Sequence, residues 1–462
     1  MTKSAEKIYM SYAVKNSEGA ALMPSYIIRS MRKMFSHCLK LSYKDTAQQN
    51  SYVTIPRAAN SFDNTEIAAN VDEDIIDSLT GGRLVGSVTS FENFAECPLR
   101  YYLRYGVDLK EREEFTFSPV NFGVVLHAVI REVCDEIKKN GESYYLISEE
   151  KRREMVKRSV AAITDIYQNS ILKDSSRNSF MIKRMEDLAD RTIWAMGEQL
   201  KCGDFVPFVF EHKFNMEVGD GDRKQLMSGT IDRVDICENG TDVYVRIIDY
   251  KTGKKDFNIV KTYYGIDIQL MVYMEAAMKL VAKMRPGKNV IPAGVFYYNI
   301  SDPIVSATTE SAEEIEDKIK GELRLKGMVN SDKDIAEKMD NTEGTSLNIP
   351  VSRKADGGFD SRRSKVMNTE QFNMLGRFVD VRAVDTADRI AGGDIRRSPY
   401  KDGQFSSCDR CPYGAVCGFS VDLPGCNYRK LKKFDDEVLW NNIKEGVDEN
   451  GKKMDTGAEE RD

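Results

Sequence analysis

In the stretch LMSGTIDRVDICENGTDVYVRIIDYKTG, the carboxylates of Asp232 and Asp249 and the amine of Lys251 are the residues best suited to act together on a substrate. Two runs rich in β-branched residues surround Asn239-Gly240, which is the pattern of a β-hairpin. Side chains alternate along a strand. Asp232 therefore shares a face with Val234 and Ile236, and Asp249 and Lys251 share one with Val243, Val245 and Ile247. A two-residue turn sets Asp232 opposite Ile247, and a four-residue loop sets it opposite Asp249. Either register leaves both acids on one sheet face, within bridging reach of one ion. Close carboxylates repel unless a cation or proton intervenes. Oxygen ligands of this kind suit a hard divalent ion, and Lys251 reaches the same spot. Arg233, Asp235 and Arg246 are expected to supply the outward polar face. The plainer reading of the acids is a solvated, charged strand end.

The cysteines point to a second kind of chemistry. Of nine, Cys408, Cys411, Cys417 and Cys426 fall within 19 residues, where an even spread would put fewer than one. The C-x2-C-x5-C spacing in SSCDRCPYGAVCGFS gathers three thiolates on a tight turn with Pro412, Gly414 and Gly418, which suits a soft ion or an iron–sulfur cluster. The fourth thiolate comes either from Cys426, giving a local zinc knuckle, or from Cys97 in ENFAECPLRYYL, more than 300 residues upstream. Cys38, Cys134, Cys202 and Cys237 read as small buried hydrophobes.

Several elements must position these groups. SVTSFENFAECPLRYYLRY is expected to form a helix carrying Cys97, capped by Thr89 or Ser90. His127, one of three histidines, lies in the amphipathic FGVVLHAVIREVCDEIKK. There the apolar stripe runs through Phe122, Leu126, Val129, Ile130, Val133 and Ile137, and His127 falls about 120° from its centre. A lone histidine is more often structural than a ligand. Charged helical segments are expected over 149–201, strands and a hairpin over 206–251, and helices over 264–283 and 368–390. A polar insertion is expected over 331–365.

Composition narrows the function classes. With 67 Lys+Arg against 73 Asp+Glu the formal charge is −6, so a polyanion must meet a local basic patch rather than a uniformly basic surface. Hydrophobic residues make up 41% and charged ones 30% of 462 residues, an ordinary globular balance. The longest apolar stretches, such as 276–284, are broken by lysines and fall short of the ~20 residues of a membrane-spanning helix. The N-terminus shows no apolar signal-peptide core. A reducing, cytoplasmic setting without disulfides is expected. No G-x4-G-K-[ST] phosphate loop occurs, and 81–87 has the glycine spacing but no lysine.

Taken together, GVVLH at 123–127, GTIDRVD at 229–235, DYKTG at 249–253 and Gln269-x3-Tyr273 resemble the RecB-type branch of the PD-(D/E)XK nucleases. With the split cysteines Cys97 and Cys408/Cys411/Cys417 added, the pattern over about 85–430 resembles the iron–sulfur nuclease domain of AddB-type helicase/nuclease subunits. The resemblance implies an α/β fold, a restriction-endonuclease-like mixed sheet flanked by helices and stapled by an iron–sulfur cluster. It implies that His127, Asp232, Asp249 and the carbonyl of Tyr250 hold Mg2+, with Mn2+ able to substitute. Lys251 is then the catalytic lysine, with Gln269 and Tyr273 beside the site. On a helix, the i, i+4 spacing of that pair puts them on one face. Glu211 in FVFEHKF is a candidate to support the ligands from behind. Cys97, Cys408, Cys411 and Cys417 are implied as ligands of a 4Fe-4S cluster, with Cys426 the competitor of Cys97.

The same resemblance implies a C-terminal part of a longer subunit. Residues 1–40 would end a helicase-like region, 41–80 would be a linker, 81–440 the nuclease domain and 441–462 a polar tail. It further implies an exonuclease acting on single-stranded DNA or DNA ends, on the 5′-ended strand. The partner would be an AddA-type helicase–nuclease subunit, and the setting double-strand break repair and recombination. Lys251, Lys254, Lys255, Lys261, Arg396, Arg397, Arg429, Lys430, Lys432 and Lys433 are candidates to track a phosphate backbone. Tyr263, Tyr264, Tyr297 and Tyr298 are candidates to stack bases or to fill the core. The rival readings are a free-standing RecB-like nuclease, a noncatalytic scaffold binding DNA or a motor, and a zinc-ribbon protein.

Overall fold

The computed structural model describes residues 70–72, 74–76, 85–110, 119–166, 176–218, 225–306, 311–421 and 426–448. The expected helicase-like end at 1–40 lies outside these residues, and so does most of the expected linker.

A mixed sheet forms the centre, and its long middle strand organises the rest. Strands β1 (Val85–Ser87), β2 (Val206–Val218), β3 (Gln225–Asn239), β4 (Asp242–Lys251), β5 (Asn289–Asn299), β6 (Lys326–Asn330) and β7 (Val366–Met367) belong to it. β2 runs antiparallel along one edge of β3. On the other edge β3 changes partner. It pairs in parallel with β1 as far as Ser228 and antiparallel with β4 from Arg233 to Asn239. Asp232 sits where this fork opens. β4 and β5 are parallel, which requires a crossover, and α5 (Gln269–Met284) lies between them in sequence.

Helices cover both faces, as buried parallel pairing requires. Val234, Ile236, Val243, Val245 and Ile247 share one core with α1 (Val88–Glu96), α5, α8 (Thr369–Ala391) and α9 (Asp436–Asp448). Cys237, Tyr244, Ile248 and Tyr250 share the other core with α2 (Pro119–Lys139), α3 (Glu149–Ile166), α4 (Ser176–Lys201) and α7 (Lys333–Met339). α6 (Ala312–Glu322) lies between β5 and β6 in sequence. A small sheet of β8 (Tyr400–Asp402), β9 (Phe405–Ser406) and β10 (Arg429–Lys430) brackets the cysteine-rich segment.

Several expectations need correction. The hairpin closes through Gly240-Thr241, with Gly240 at φ +60 and Asn239 paired to Asp242, so continuing the register sets Asp232 across from Asp249. The set Arg233, Asp235 and Arg246 is not an outward face. All three are at most 1% exposed, because α2, α3 and α4 cover that side of the sheet. Asp235 serves both arginines: Arg233 donates to it at 2.7 and 2.6 Å and Arg246 Nε at 2.9 Å, while the Arg246 guanidinium, its Nη1 and Nη2 without acceptors, lies over the Phe205 ring. Burial pushes the Asp235 carboxyl up, but the two guanidiniums outweigh it and hold it below the ordinary range.

The 331–365 stretch is not a solvated insertion. Asp340 is buried and accepts from Ser346 Oγ at 2.7 Å and Asn348 Nδ2 at 3.2 Å, while Ile349 and Val351 enter the core. Its polar groups pair with one another, which composition cannot reveal. Cys97 lies at a break rather than within a helix, extended at φ −167 between α1 and a short helix at Pro98–Tyr101. The cap of α1 is Ser87, whose Oγ accepts from Ser90 N. Of the expected linker, Val71 N donates to Gly393 O and Ile76 is buried, so its end is docked on the fold. The expected tail from 441 begins no earlier than 449, because α9 continues to Asp448 with Ile443 fully buried.

Candidate active site

The fork of β3 gathers the acidic residues. Tyr250 N donates to Asp232 Oδ2 at 2.6 Å, so the carboxylate meets the backbone of β4 where the two strands part. α2 brings His127 to the same place, with Nδ1 3.4 Å from Asp232 Oδ1 and 3.4 Å from Glu211 Oε1. Glu211 lies on β2 between residues paired with Arg233 and Ile231, hence across from Asp232. Its φ is +47, a left-handed conformation that costs a non-glycine residue about 1–3 kcal/mol. Strain of that size persists only where the surroundings hold it, and here the strained residue aims a carboxylate at His127.

Asp249 and Lys251 follow one another on the same face of β4. Lys251 Nζ lies 2.5 Å from Asp249 Oδ2 and donates to Gln269 Oε1 at 3.0 Å. Gln269 Nε2 in turn donates to Tyr273 OH at 2.9 Å, so the i, i+4 pair on α5 forms one chain of hydrogen bonds ending on the lysine. Gly229 makes room for that chain. A Cβ there would stand 2.7 Å from Phe214 and 3.1 Å from the Tyr273 ring. The glycine of GTIDRVD is therefore required by close packing. Tyr250 turns its ring into the opposite core, edge-on to His127 at 5.9 Å.

Electrostatics show what this arrangement lacks. Burial and the neighbouring Asp232 push the Asp249 carboxyl up to about 7 in spite of Lys251. Burial pulls the His127 imidazole down, but hydrogen bonds and charge from Asp232 and Glu211 overcome it and raise it to about 10. Crowded, buried carboxylates thus favour bound protons here, the effect of like charges held close together. One donor atom each from His127, Glu211 and Asp232 lies within 4.8 Å of the others, and imidazole plus carboxylates suits a divalent ion. Glu211 thus stands among the potential ligands rather than behind them, whereas Asp249 is not one of this group and is linked to it by the charge of Asp232.

A second network, which no local sequence pattern foretold, borders the lysine. Glu92 Oε1 on α1 accepts from Ile268 N at 2.9 Å and Gln269 N at 3.0 Å. Asp267 accepts from Tyr297 OH at 2.6 Å and pairs with Lys255 at 3.0 Å. Glu92 lies five residues before Cys97, and nothing in its neighbours marked it.

Cys97, Cys408, Cys411 and Cys417 line one cavity together with Leu99, Leu103 and Phe419. Burial first, and then the charge that neighbouring cysteines would carry if ionised, raise the Cys408 and Cys417 thiols. Gly418 at φ +61 ends the turn carrying Cys417, and Arg397 holds the Cys417 carbonyl at 3.0 Å. Cys426 is buried but does not line this cavity, so it is Cys97 that shares it with Cys408, Cys411 and Cys417.

The proposed nucleic-acid contacts divide. Tyr297 and Tyr298 are core residues, at most 2% exposed, and are closed to bases; Tyr263 stacks on Phe378. Arg429 donates to the carbonyls of Ser398, Ala95 and Glu96, and Arg396 pairs with Asp394, so both serve the fold. Lys261 stands 3.6 Å from Asp402. Lys254, Lys430, Lys432 and Lys433 are exposed.

Residues 86–418 match the model of the PD-(D/E)XK nuclease superfamily. The chain belongs to that superfamily. The match spans the central sheet, the flanking helices α1 to α8 and the cysteine turn through Cys417. The chain is also similar to the B subunit of the ATP-dependent helicase/deoxyribonuclease of Caldanaerobacter subterraneus subsp. tengcongensis, 31% identical over all of this chain and 44% of that protein. It is 30% identical to the protein of the same description from Clostridium acetobutylicum, over 98% of this chain and 44% of the relative. The counterpart in Lachnoclostridium phytofermentans is 34% identical over 84% of this chain and 34% of its own length. The nuclease chain thus spans less than half the length of these relatives. Among the described residues no helix is long and apolar enough to cross a membrane.

Proposed function

We propose that this nuclease chain hydrolyses DNA phosphodiesters with Mg2+, as the exonuclease part of an AddB-type subunit paired with an AddA-type helicase–nuclease. The observation that carries the reading is the grouping of His127, Glu211 and Asp232 within 4.8 Å at the fork of β3, with the Asp249–Lys251 pair on the adjoining strand. His127, Asp232, Asp249 and the Tyr250 carbonyl are assigned as the Mg2+ ligands, with Glu211 alongside. Bound there, Mg2+ supplies a Lewis acid that polarises a phosphate oxygen and lowers the pKa of the attacking water. The chain's own groups do the rest. The Tyr250 N–H fixes one oxygen of Asp232, and His127 is held between two carboxylates. The Lys251 ammonium, oriented by Gln269, offsets negative charge developing on the phosphate. Gln269 and Tyr273 position the lysine.

The 4Fe-4S cluster is assigned to Cys97, Cys408, Cys411 and Cys417, where it ties the end of α1 to the C-terminal segment. Its role is structural. Single-stranded DNA from DNA ends is the proposed substrate, cut on the 5′-ended strand during double-strand break repair in the cytoplasm. The helicase/deoxyribonuclease description of the relatives supports this setting.

The test is Mg2+-dependent cleavage of an end-labelled single-stranded oligonucleotide by wild type and Asp249→Ala. Wild type should cleave, and the variant should lose activity by about 1,000-fold or more while keeping its fold. Full activity in Asp249→Ala, in a preparation free of other nucleases, sinks the assignment.

A further inference from the structure

The N-terminus of α5 is capped in an unusual way. Its N-cap residue, Ile268, offers no side-chain acceptor to the free N–H groups of the first turn. The acidic residue beside it in sequence, Asp267, is turned away to Tyr297 and Lys255. A carboxylate 176 residues away takes its place: Glu92 Oε1 accepts from both Ile268 N and Gln269 N. Gln269 is the residue whose side chain accepts from Lys251 Nζ, and Lys251 meets Asp249. A continuous chain of direct contacts therefore joins α1 to the amine of the active site.

Geometry makes the link stiff. Two hydrogen bonds to one carboxyl oxygen fix both the entry of α5 and the backbone from which the Gln269 side chain springs. Burial raises the Glu92 carboxyl to about 7 against the pull of Lys255, so the cap rests on an oxygen that accepts from both N–H groups whether or not the carboxyl is ionised. Without it the first turn frays, and Gln269 loses a fixed origin, as terminal turns do when their donors are unmet.

We propose that Glu92 is a positioning residue for the nuclease reaction, holding the first turn of α5 so that Gln269 keeps the Lys251 ammonium against Asp249. The inference rests on the reading of Lys251 as the amine that acts on the phosphate. Glu92 touches neither substrate nor metal in this scheme. It acts through Gln269.

The experiment measures kcat and KM on a labelled single-stranded oligonucleotide in MgCl2, using the full chain and its Glu92→Ala, Glu92→Gln and Gln269→Ala variants and the Glu92→Ala/Gln269→Ala double variant. Glu92→Ala should lower kcat by about 10- to 100-fold while KM stays within about twofold. Glu92→Gln keeps an oxygen able to accept both N–H groups and should recover most of kcat. In the Gln269→Ala background, removing Glu92 should cost less than about twofold more, because coupled residues are not additive. A kcat for folded Glu92→Ala within twofold of wild type overturns the proposal, and so does full additivity in the double variant. If Glu92→Ala fails to fold, Glu92→Asp decides, since it keeps the charge and shortens the reach by a methylene. A lowered kcat at an unchanged melting temperature then supports the link, and a wild-type kcat overturns it. Wild type without Mg2+-dependent cleavage, or a fully active Asp249→Ala, instead removes the nuclease reading itself.

Discussion

Glu211 is the residue where backbone and chemistry conflict most openly. It holds a left-handed φ within a strand while its carboxylate faces His127 and lies across from Asp232. A solvated acid would relax such a backbone; a ligand, or a group that orients one, has reason to keep it. Glu211→Gln should weaken Mn2+ binding by about 10- to 100-fold with little change in fold. Calorimetric titration reads this directly, and an unchanged affinity would remove Glu211 from the ion site. Asp235 behaves differently although it stands three positions from Asp232. Clamped by Arg233 and Arg246 under α2, α3 and α4, it is sealed from substrate. Asp235→Ala leaves two buried guanidiniums without their shared acceptor and should destabilise the protein by about 3–5 kcal/mol. Chemical denaturation checks that figure, and a loss under about 1 kcal/mol would mean the triad is solvated.

At the scale of elements, α5 carries the pair Gln269 and Tyr273 and also packs against α8. Between these helices Asp380 hydrogen-bonds to Glu275, and burial first, then that carboxylate, raise Asp380 to about 8 while Lys279 opposes the shift. The sign follows from linkage. A carboxyl raised above its unfolded value near 3.9 stabilises the fold most when protonated, and that contribution fades as pH rises from about 4 through about 8. Asp380→Asn cannot ionise and retains a donor toward Glu275. It should therefore melt higher than wild type at pH 8 and show a smaller difference at pH 5. Equal melting temperatures at both values would show that the two carboxyls do not meet. The fork of β3 is the other element-level device, because two partners leaving one strand create the opening in which Asp232 stands.

Over the whole molecule, the cysteines join segments more than 300 residues apart. A cluster held by them, as proposed, would close a long loop, so its binding energy would become folding energy. Cys97→Ala should lose iron, colour and thermal stability together, while Cys426→Ala should keep the iron. Anaerobic purification with iron analysis and a visible spectrum tells them apart. A brown, folded Cys97→Ala, or loss of the cluster only in Cys426→Ala, would reverse the wiring. Cys97 ends α1, the helix that carries Glu92, so the cysteine cavity and the active site share one element.

Strand alternation alone put Asp232, Asp249 and Lys251 on one face, because the two-residue period of a strand is a local property. The turn around Gly240, the amphipathic helix bearing His127 and the crowding of Cys408, Cys411 and Cys417 were equally visible, since each depends on near neighbours in the chain. Three things were decided only by packing. Whether Arg233, Asp235 and Arg246 face water depended on helices from 119–201 covering the second sheet face. The choice between Cys97 and Cys426 depended on which thiol reaches the common cavity. Glu92 entered the site through its contact with α5, and Glu211, already a candidate behind the ligands, came among them through its contact with His127 on α2. Periodicity fixes which way a side chain points within its own element, but what it meets there is set by long-range pairing that no local pattern encodes.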